Sequence, residues 1–196
     1  MVIVVDYEAG NLYNVANALT FLGIEFEFSG DPDTLRKADR VILPGVGSAR
    51  SAMNSLKEQG IAGVLRELKV PFLGICLGLQ LLYETSEEDN TECLGILPGA
   101  VRRFDSSVGK VPHIGWNQVD WQGEENGLTK GLSPGTFFYF VHSYYAPQAD
   151  EYTLATTNYG VTFSSMVQMG NFVGCQFHPE RSGRVGLRLL ENFLRI

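Results

Sequence analysis

Apolar residues fall in short runs through positions 1–76, and each run gives way to a stretch with helical spacing. Residues 2–7 are mostly apolar and β-branched, the length of one buried strand. Residues 11–22 place Leu12, Val15, Ala16, Leu19 and Leu22 at intervals that line one helix face, and Gly23 stands where a helix closes. Phe26-Glu27-Phe28 predicts a short second strand, Gly30-Asp31-Pro32 a turn, and Leu35 the start of a short helix. Residues 40–44 read as a third strand, 48–56 as a helix with Ser48 at its N-cap, and 70–76 as a fourth strand. Strand–helix alternation of this kind predicts a parallel sheet with helices on both faces and right-handed crossovers.

The pattern then changes. Residues 77–83 continue as a helix, and the acidic run 84–92 reads as a solvated loop. Positions 101–168 turn β-rich, with aromatic residues and Gly, Pro and Asn punctuation, as in Thr136-Phe137-Phe138-Tyr139-Phe140-Val141. Phe172-Val173-Gly174-Cys175 predicts a last strand, and residues 183–196 an amphipathic helix with Val185, Leu189 and Phe193 on one stripe. No repeat, low-complexity tract or linker interrupts the 196 residues, so a single domain over 1–196 is expected. The fold class is α/β: a central, mostly parallel sheet flanked by helices, with an additional antiparallel β region in the second half.

Candidate chemistry begins at Gly74-Ile75-Cys76-Leu77-Gly78, where an apolar run meets a helical pattern. This is the Gly-x-nucleophile-x-Gly arrangement of a strand turning sharply into a helix. Glycine on both sides leaves room for the turn, and Cys76 stands at its tip, at the amino end of the helix, where N–H groups and the helix dipole favour a thiolate. A small buried cysteine beneath a tight turn would give the same local sequence.

A thiol nucleophile needs a base, and the base needs an orienting group. Cys175-Gln176-Phe177-His178-Pro179-Glu180 follows the last predicted strand and offers both. His178 lies just past the strand end, Pro179 stiffens the exit, and Glu180 is two residues on. Taken singly, His178 also reads as a structural histidine and Glu180 as a surface carboxylate. Ligands of open α/β sheets bind at the carboxyl ends of the strands, where the Pro44 loop, Cys76 and His178 all fall.

Composition narrows the classes. A hydrophobic fraction of 44% and a charged fraction of 19% are ordinary for a soluble globular chain. A formal charge of −7 argues against nucleic acid or an anionic membrane as the main partner, and Arg102-Arg103 is too small a patch to reverse that. No apolar run approaches the ~20 residues that span a bilayer. The opening residues lack the basic flank of a signal peptide. Three cysteines do not make a disulfide framework, so the cytoplasm is the expected compartment. Cys93 and Cys175 read as inert thiols, and no Cys/His pair has zinc spacing, so no metal is expected.

The elbow and the Gln176-Phe177-His178-Pro179-Glu180 segment resemble the class I glutamine amidotransferases. Pro112-His113-Ile114-Gly115-Trp116-Asn117-Gln118-Val119, Tyr139-Phe140-Val141-His142-Ser143-Tyr144, Asp6-Tyr7-Glu8-Ala9-Gly10-Asn11-Leu12 and Pro44-Gly45-Val46-Gly47 are similar to one branch, the glutaminase subunits of imidazole glycerol phosphate synthase. The likeness runs from the first strand to the last helix. It implies glutamine as substrate, no cofactor, and a Cys76, His178, Glu180 triad. It implies an oxyanion site at the Leu77 and Val46 backbone N–H groups with Gly47 beside them. Gln80, Glu88, Ser143 and Tyr144 would hold the substrate. It also implies a (β/α)₈ cyclase as heterodimer partner, taking ammonia for histidine biosynthesis and meeting Asn11, Asn14, Trp116, Tyr139 and Arg181. Core packing is the competing reading of Trp116. Three alternatives remain at this point: an amidotransferase subunit of another pathway, a γ-glutamyl hydrolase-like peptidase, and a non-enzymatic flavodoxin-like module.

Overall fold

The structure is a computed structural model that describes residues 1–7 and 12–196. Its first half alternates strand and helix: β1 (Val2–Val5), α1 (Leu12–Phe21), β2 (Phe26–Ser29), α2 (Pro32–Arg36), β3 (Arg40–Leu43), α3 (Ala49–Glu58), α4 (Ala62–Glu67), β4 (Phe72–Ile75) and α5 (Leu77–Gln80). The second half holds β5 (Tyr83–Ser86), β6 (Thr91–Glu92), β7 (Leu97–Arg103), β8 (His113–Trp121), β9 (Thr136–His142), β10 (Tyr144–Pro147), β11 (Thr153–Asn158), β12 (Thr162–Met169), β13 (Phe172–Cys175) and α6 (Gly183–Phe193). Local signals set several boundaries. Asp31 caps α2 by accepting the Thr34 N–H at 2.7 Å, with Pro32 in the first turn. Ser48 caps α3 by accepting the Ser51 N–H at 3.3 Å, as its position predicts.

β2, β1, β3, β4 and β13 pair in parallel in that order, and β12 then joins β13 antiparallel. Successive side chains of each inner strand go to opposite faces. Ile3, Val5, Val41 and Leu43 meet Ala52, Met53 and Leu56 of α3 and Val64 and Leu65 of α4. Val2, Val4, Ile42, Leu73 and Ile75 meet Val15, Ala18 and Leu19 of α1 and Leu189, Leu190 and Phe193 of α6. Burying both faces explains why these strands read as continuous apolar runs rather than as alternation.

Two expectations fail where the pattern changes. The helix expected over 77–83 stops after the four residues of α5. The carbonyls of Leu81, Leu82 and Tyr83 accept instead from Leu94, Ile96, Leu97 and Gly95 at 2.8–2.9 Å, which turns the chain into β5. The run 84–92 is not a free loop: β5 pairs parallel to β7 and antiparallel to β6, with Tyr83 and Ser86 buried and Glu84 and Thr85 between them outward. Its acids mark an outward strand face, which composition alone does not separate from a loop. The short helix α4 has no counterpart in the reading of the sequence, and α2 begins earlier than Leu35.

In the antiparallel region β8 pairs with β9 and β11, and β11 with β12. His113 and His142 face each other in the β8–β9 register and are buried among aromatic rings. His113 stacks on Tyr159 with centroids 4.0 Å apart and on Phe140 at 4.9 Å, and His142 lies 5.3 Å from both Phe104 and Phe163. Burial pushes His113 down to about 4 and His142 to about 3.

Two outcomes follow from this packing. An alanine Cβ at Gly78 would sit 2.0 Å from the Leu43 carbonyl oxygen, so α5 rests directly on the β3 backbone. Gly78→Ala should lower stability by about 1–3 kcal/mol, read as a shift in the urea midpoint. The second outcome concerns acid. The unfolded chain takes protons on His113 and His142 below about pH 6.5, whereas the folded chain keeps both rings neutral down to about 4 and about 3. Stability must therefore fall as pH drops below 6.5, by at most about 1.4 kcal/mol per pH unit for each ring. Urea titrations from pH 6.5 to 5.0, above most carboxylate titration, should show this slope roughly halved in His113→Asn. An unchanged slope would mean that the ring is not held neutral.

Candidate active site

Cys76 follows β4 with φ 54° and ψ −106°, a positive φ at a non-glycine residue of the kind stored at functional sites. Its N–H donates to the Cys175 carbonyl at 2.8 Å, which continues the β4–β13 ladder and fixes the turn. The sulfur lies 3.8 Å from the Val141 carbonyl oxygen and 3.7 Å from Gln176 Nε2. A four-residue helix sums few peptide dipoles, so a helix dipole acts on this thiol less than the sequence pattern implies.

His178 and Glu180 leave β13 on a 3₁₀ turn, Pro179–Arg181. His178 Nδ1 lies 2.7 Å from Glu180 Oε1, and both side chains are buried. A carboxylate on Nδ1 fixes the tautomer and leaves Nε2 for chemistry. Nε2 is buried with no hydrogen-bond partner among the described residues, as is Glu180 Oε2. Burial, the largest single cause, pushes the imidazole down; negative charge on the Cys76 sulfur and then the Glu180 carboxylate act against it and carry His178 up to about 10. The backbone holds the ring from the other side, where the His178 N–H donates to the Tyr139 carbonyl at 2.9 Å.

A third segment closes over the sulfur. After β3, Pro44-Gly45-Val46-Gly47 leads into α3, and Tyr7 anchors its start by donating to the Pro44 carbonyl at 2.8 Å. Gly45 and Gly47 serve different ends. A Cβ on Gly45 would sit 2.6 Å from Leu77 Cβ and 2.8 Å from the Gly78 nitrogen, so Gly45 permits close packing. Gly47 has open space around it but a φ of 94°, so it supplies a backbone angle. Glu88 reaches across and accepts the Ala49 N–H at 2.7 Å, tying the α3 start to the far wall.

These parts enclose a cleft of about 310 Å³ lined by Cys76, His178, Val46, Gly47, Leu77, Gln80, Glu88, Ser143 and Tyr144, with Glu180 behind His178. Every expected triad, oxyanion and substrate position thus falls at one place. Gln80 Nε2 donates to the Tyr144 carbonyl at 2.9 Å and to Gln176 Oε1 at 3.1 Å. Pro112, Val141 and His142 also line the cleft, and Gln176 bridges Gln80 to the sulfur; the sequence pattern assigns none of them a role there. Gln176 lies between Cys175 and His178, two residues before the histidine. Burial pushes the thiols of Cys93, to about 11, and of Cys175 upward, consistent with inert cysteines.

The remaining candidates form a separate outer cluster. Trp116 is 54% exposed, so it is not the core residue that the competing reading required. It packs edge-on against Tyr139 with centroids 6.2 Å apart, and the Arg181 guanidinium lies 4.3 Å over the Tyr139 ring. Asn14 is on α1, which packs beside the Pro179–Arg181 turn. Asn11 lies outside the described residues.

Comparison with known proteins agrees with this geometry. The family profile described as glutamine amidotransferase class-I matches residues 3–196. Imidazole glycerol phosphate synthase subunit HisH 2 of Legionella pneumophila (strain Paris) is 48% identical over 100% of this chain and 98% of its own. The HisH subunit of Archaeoglobus fulgidus is 45% identical, over 100% of this chain and 98% of its own. A crystal structure of a glutamine amidotransferase superposes with a TM-score of 0.78 at 22% identity, covering 100% of this chain and 98% of that one, a likeness of fold. No helix among the described residues is long and apolar enough to cross a membrane. On these matches the chain belongs to the class-I glutamine amidotransferases, in their branch of imidazole glycerol phosphate synthase HisH subunits.

Proposed function

We propose that this chain, as one amidotransferase domain, hydrolyses glutamine at Cys76 and passes the ammonia to a (β/α)₈ cyclase with which it forms a heterodimer. The observation that carries the reading is the buried His178 ring, which interacts with the Cys76 sulfur and has Glu180 Oε1 at 2.7 Å on Nδ1. His178 takes the thiol proton as the Cys76 sulfur attacks the side-chain amide carbon. The imidazolium, which Glu180 stabilises, delivers that proton to nitrogen as the C–N bond breaks and ammonia leaves. Water, deprotonated by the now neutral His178, then cleaves the thioester to glutamate and restores the thiol. The Leu77 and Val46 backbone N–H groups, the latter beside Gly47, bind the oxyanion. Gln80, Glu88 and the Ser143-Tyr144 backbone take the amino-acid end of the substrate, with the Glu88 carboxylate on its ammonium group.

The partner reading rests on the names of the relatives and on the outer cluster. Asn11, Asn14, Trp116, Tyr139 and Arg181 would form the docking face, with exposed Ile114 and Phe137 on the same two strands. An exposed tryptophan backed by a tyrosine and an arginine has the composition of an interface anchor. Its distance from the cleft is short: the Tyr139 carbonyl accepts the His178 N–H.

Two measurements test this reading. Cys76→Ala should abolish glutamine hydrolysis and labelling by a glutamine-like electrophile, whereas Cys93→Ser should keep both. His178→Ala should lose at least ~10³ in turnover, and adding Glu180→Ala should cost little more, because the residues act as one unit. Multiplicative losses would mean that they act independently. The second measurement addresses gating. If the resting Val46 peptide withholds its N–H, turnover of the isolated chain lies ~10²–10³ below that of the complex with cyclase ligand bound. Gly47→Val, at a φ of 94° that a β-branched residue adopts only under strain, should then impair activation in the liganded complex. Equal rates for the chain alone, the complex and the liganded complex would exclude gating while leaving the triad intact.

A further inference from the structure

The pair of buried histidines beneath the cleft has no role in the reaction just described, yet its hydrogen bonds admit one arrangement of protons. His142 Nδ1 lies 2.8 Å from the Tyr144 carbonyl oxygen, and a carbonyl only accepts, so Nδ1 carries the hydrogen. In the neutral ring Nε2 is then bare, and it accepts from His113 Nδ1 at 3.0 Å. That leaves His113 Nε2 bare in turn, facing the Asn117 amide nitrogen at 3.3 Å. The orientation of the Asn117 amide is itself fixed, because its oxygen accepts the Gln118 N–H at 2.8 Å and its nitrogen donates to the Asn158 carbonyl at 3.0 Å. Donors therefore run in one direction, from Asn117 through His113 and His142 to the Tyr144 carbonyl.

The end of this chain is a node of the cleft. The Tyr144 carbonyl also accepts from Gln80 Nε2 at 2.9 Å, and Gln80 continues through Gln176 to the Cys76 sulfur. The preceding carbonyl, that of Ser143, accepts the Phe104 N–H at 3.0 Å. With both carbonyls tied, the Ser143-Tyr144 peptides cannot rotate without breaking a buried hydrogen bond. A planar trans peptide then turns the Tyr144 N–H to the side opposite Phe104.

We propose that His113 and His142 are positioning residues: a neutral relay of fixed tautomer that holds the Tyr144 carbonyl, and through it the Ser143-Tyr144 backbone and Gln80, in the geometry that receives the amino-acid end of glutamine. The inference rests on the substrate reading given above and adds two residues to it. Burial keeps both rings neutral at physiological pH, as the relay requires. Protonating His142 would oppose two N–H donors across the 3.0 Å gap between the rings, and protonating His113 would oppose its Nε2 to the Asn117 amide nitrogen at 3.3 Å.

The assembled synthase provides the test. His142→Phe keeps the aromatic volume and removes the donor. It should raise the KM for glutamine by roughly 5–10-fold, the worth of one net hydrogen bond, with a smaller change in kcat. His142→Asn, whose amide nitrogen can take the place of Nδ1, should recover most of that loss. His113→Phe should act in the same direction as His142→Phe but more weakly. Labelling of Cys76 by iodoacetamide, which needs no substrate contacts, should stay within about twofold of the wild type in all three. A purely packing role predicts the reverse: lowered melting temperatures, unchanged KM, and no rescue by asparagine. Nitrogen-15 spectra of the wild-type chain give a readout independent of any variant. Protonated Nδ1 and bare Nε2 on both rings support the relay, and the opposite tautomer on His142 overturns it. Absence of glutaminase activity in the wild-type complex would instead overturn the substrate reading, and the spectra would still decide the relay.

Discussion

The parallel pairing of β4 with β13 is the constraint on which the site depends. Its register sets Gly74 opposite Gly174 and Ile75 opposite Cys175, and the Cys76 N–H extends the ladder one rung to the Cys175 carbonyl. Two segments 100 positions apart in the chain thus end side by side, one at Cys76 and the other leading to His178. A slip of one residue would turn Phe172 and Cys175 to the wrong faces of a sheet buried on both sides, so the register resists change strongly. The strained φ of Cys76 is held by the same rung and by the contact of Gly78 with the Leu43 carbonyl. Position and strain therefore come from the most deeply packed part of the molecule.

Much of this is legible in the chain. Apolar runs buried on both faces announce parallel strands, and glycines at 74 and 78 announce a turn at which backbone meets backbone. The contacts of Gly45 with Leu77 and Gly78 were less visible, because glycine reads alike whether it provides space or a backbone angle. Only the structure separates Gly45, which is crowded, from Gly47, which is not. The acids of 84–92 misled for a related reason. Glu84 and Glu87 belong to or flank a real strand, and each carboxylate accepts a backbone N–H of β7, from Gly99 at 2.9 Å and Arg103 at 2.8 Å. Charge reported exposure correctly and said nothing about hydrogen bonding.

The histidines show a second limit of the linear reading. His113 and His142 sit in segments that distinguish one branch of the family, but periodicity gives no hint that they face each other. Strand register decides that, and hydrogen-bond donors and acceptors then decide their tautomers. A buried polar pair costs free energy unless each atom finds a partner, and here each ring nitrogen does. Satisfaction this complete in an otherwise aromatic core specifies a single arrangement, which apolar packing alone would leave looser.

The same strands connect the cleft to the outer face. On β9, Tyr139 lies under Arg181 and against Trp116, while its backbone is held on both sides: its carbonyl accepts the His178 N–H and its N–H donates to Ser182 Oγ at 3.0 Å. Ser182 Oγ in turn donates to the His178 carbonyl at 2.6 Å. His178 is thus fixed through its own main chain to the residue whose ring belongs to the exposed cluster. On the proposed docking face a partner seated on Trp116 and Arg181 would contact a strand hydrogen-bonded directly to His178, whereas the Val46 segment is anchored separately through Tyr7 and the Glu88 contact at Ala49. In the proposed function, docking and oxyanion binding would therefore act through different sets of contacts. There a partner's contact face would order His178, and its ligand would act on the Val46 peptide through that second set of anchors.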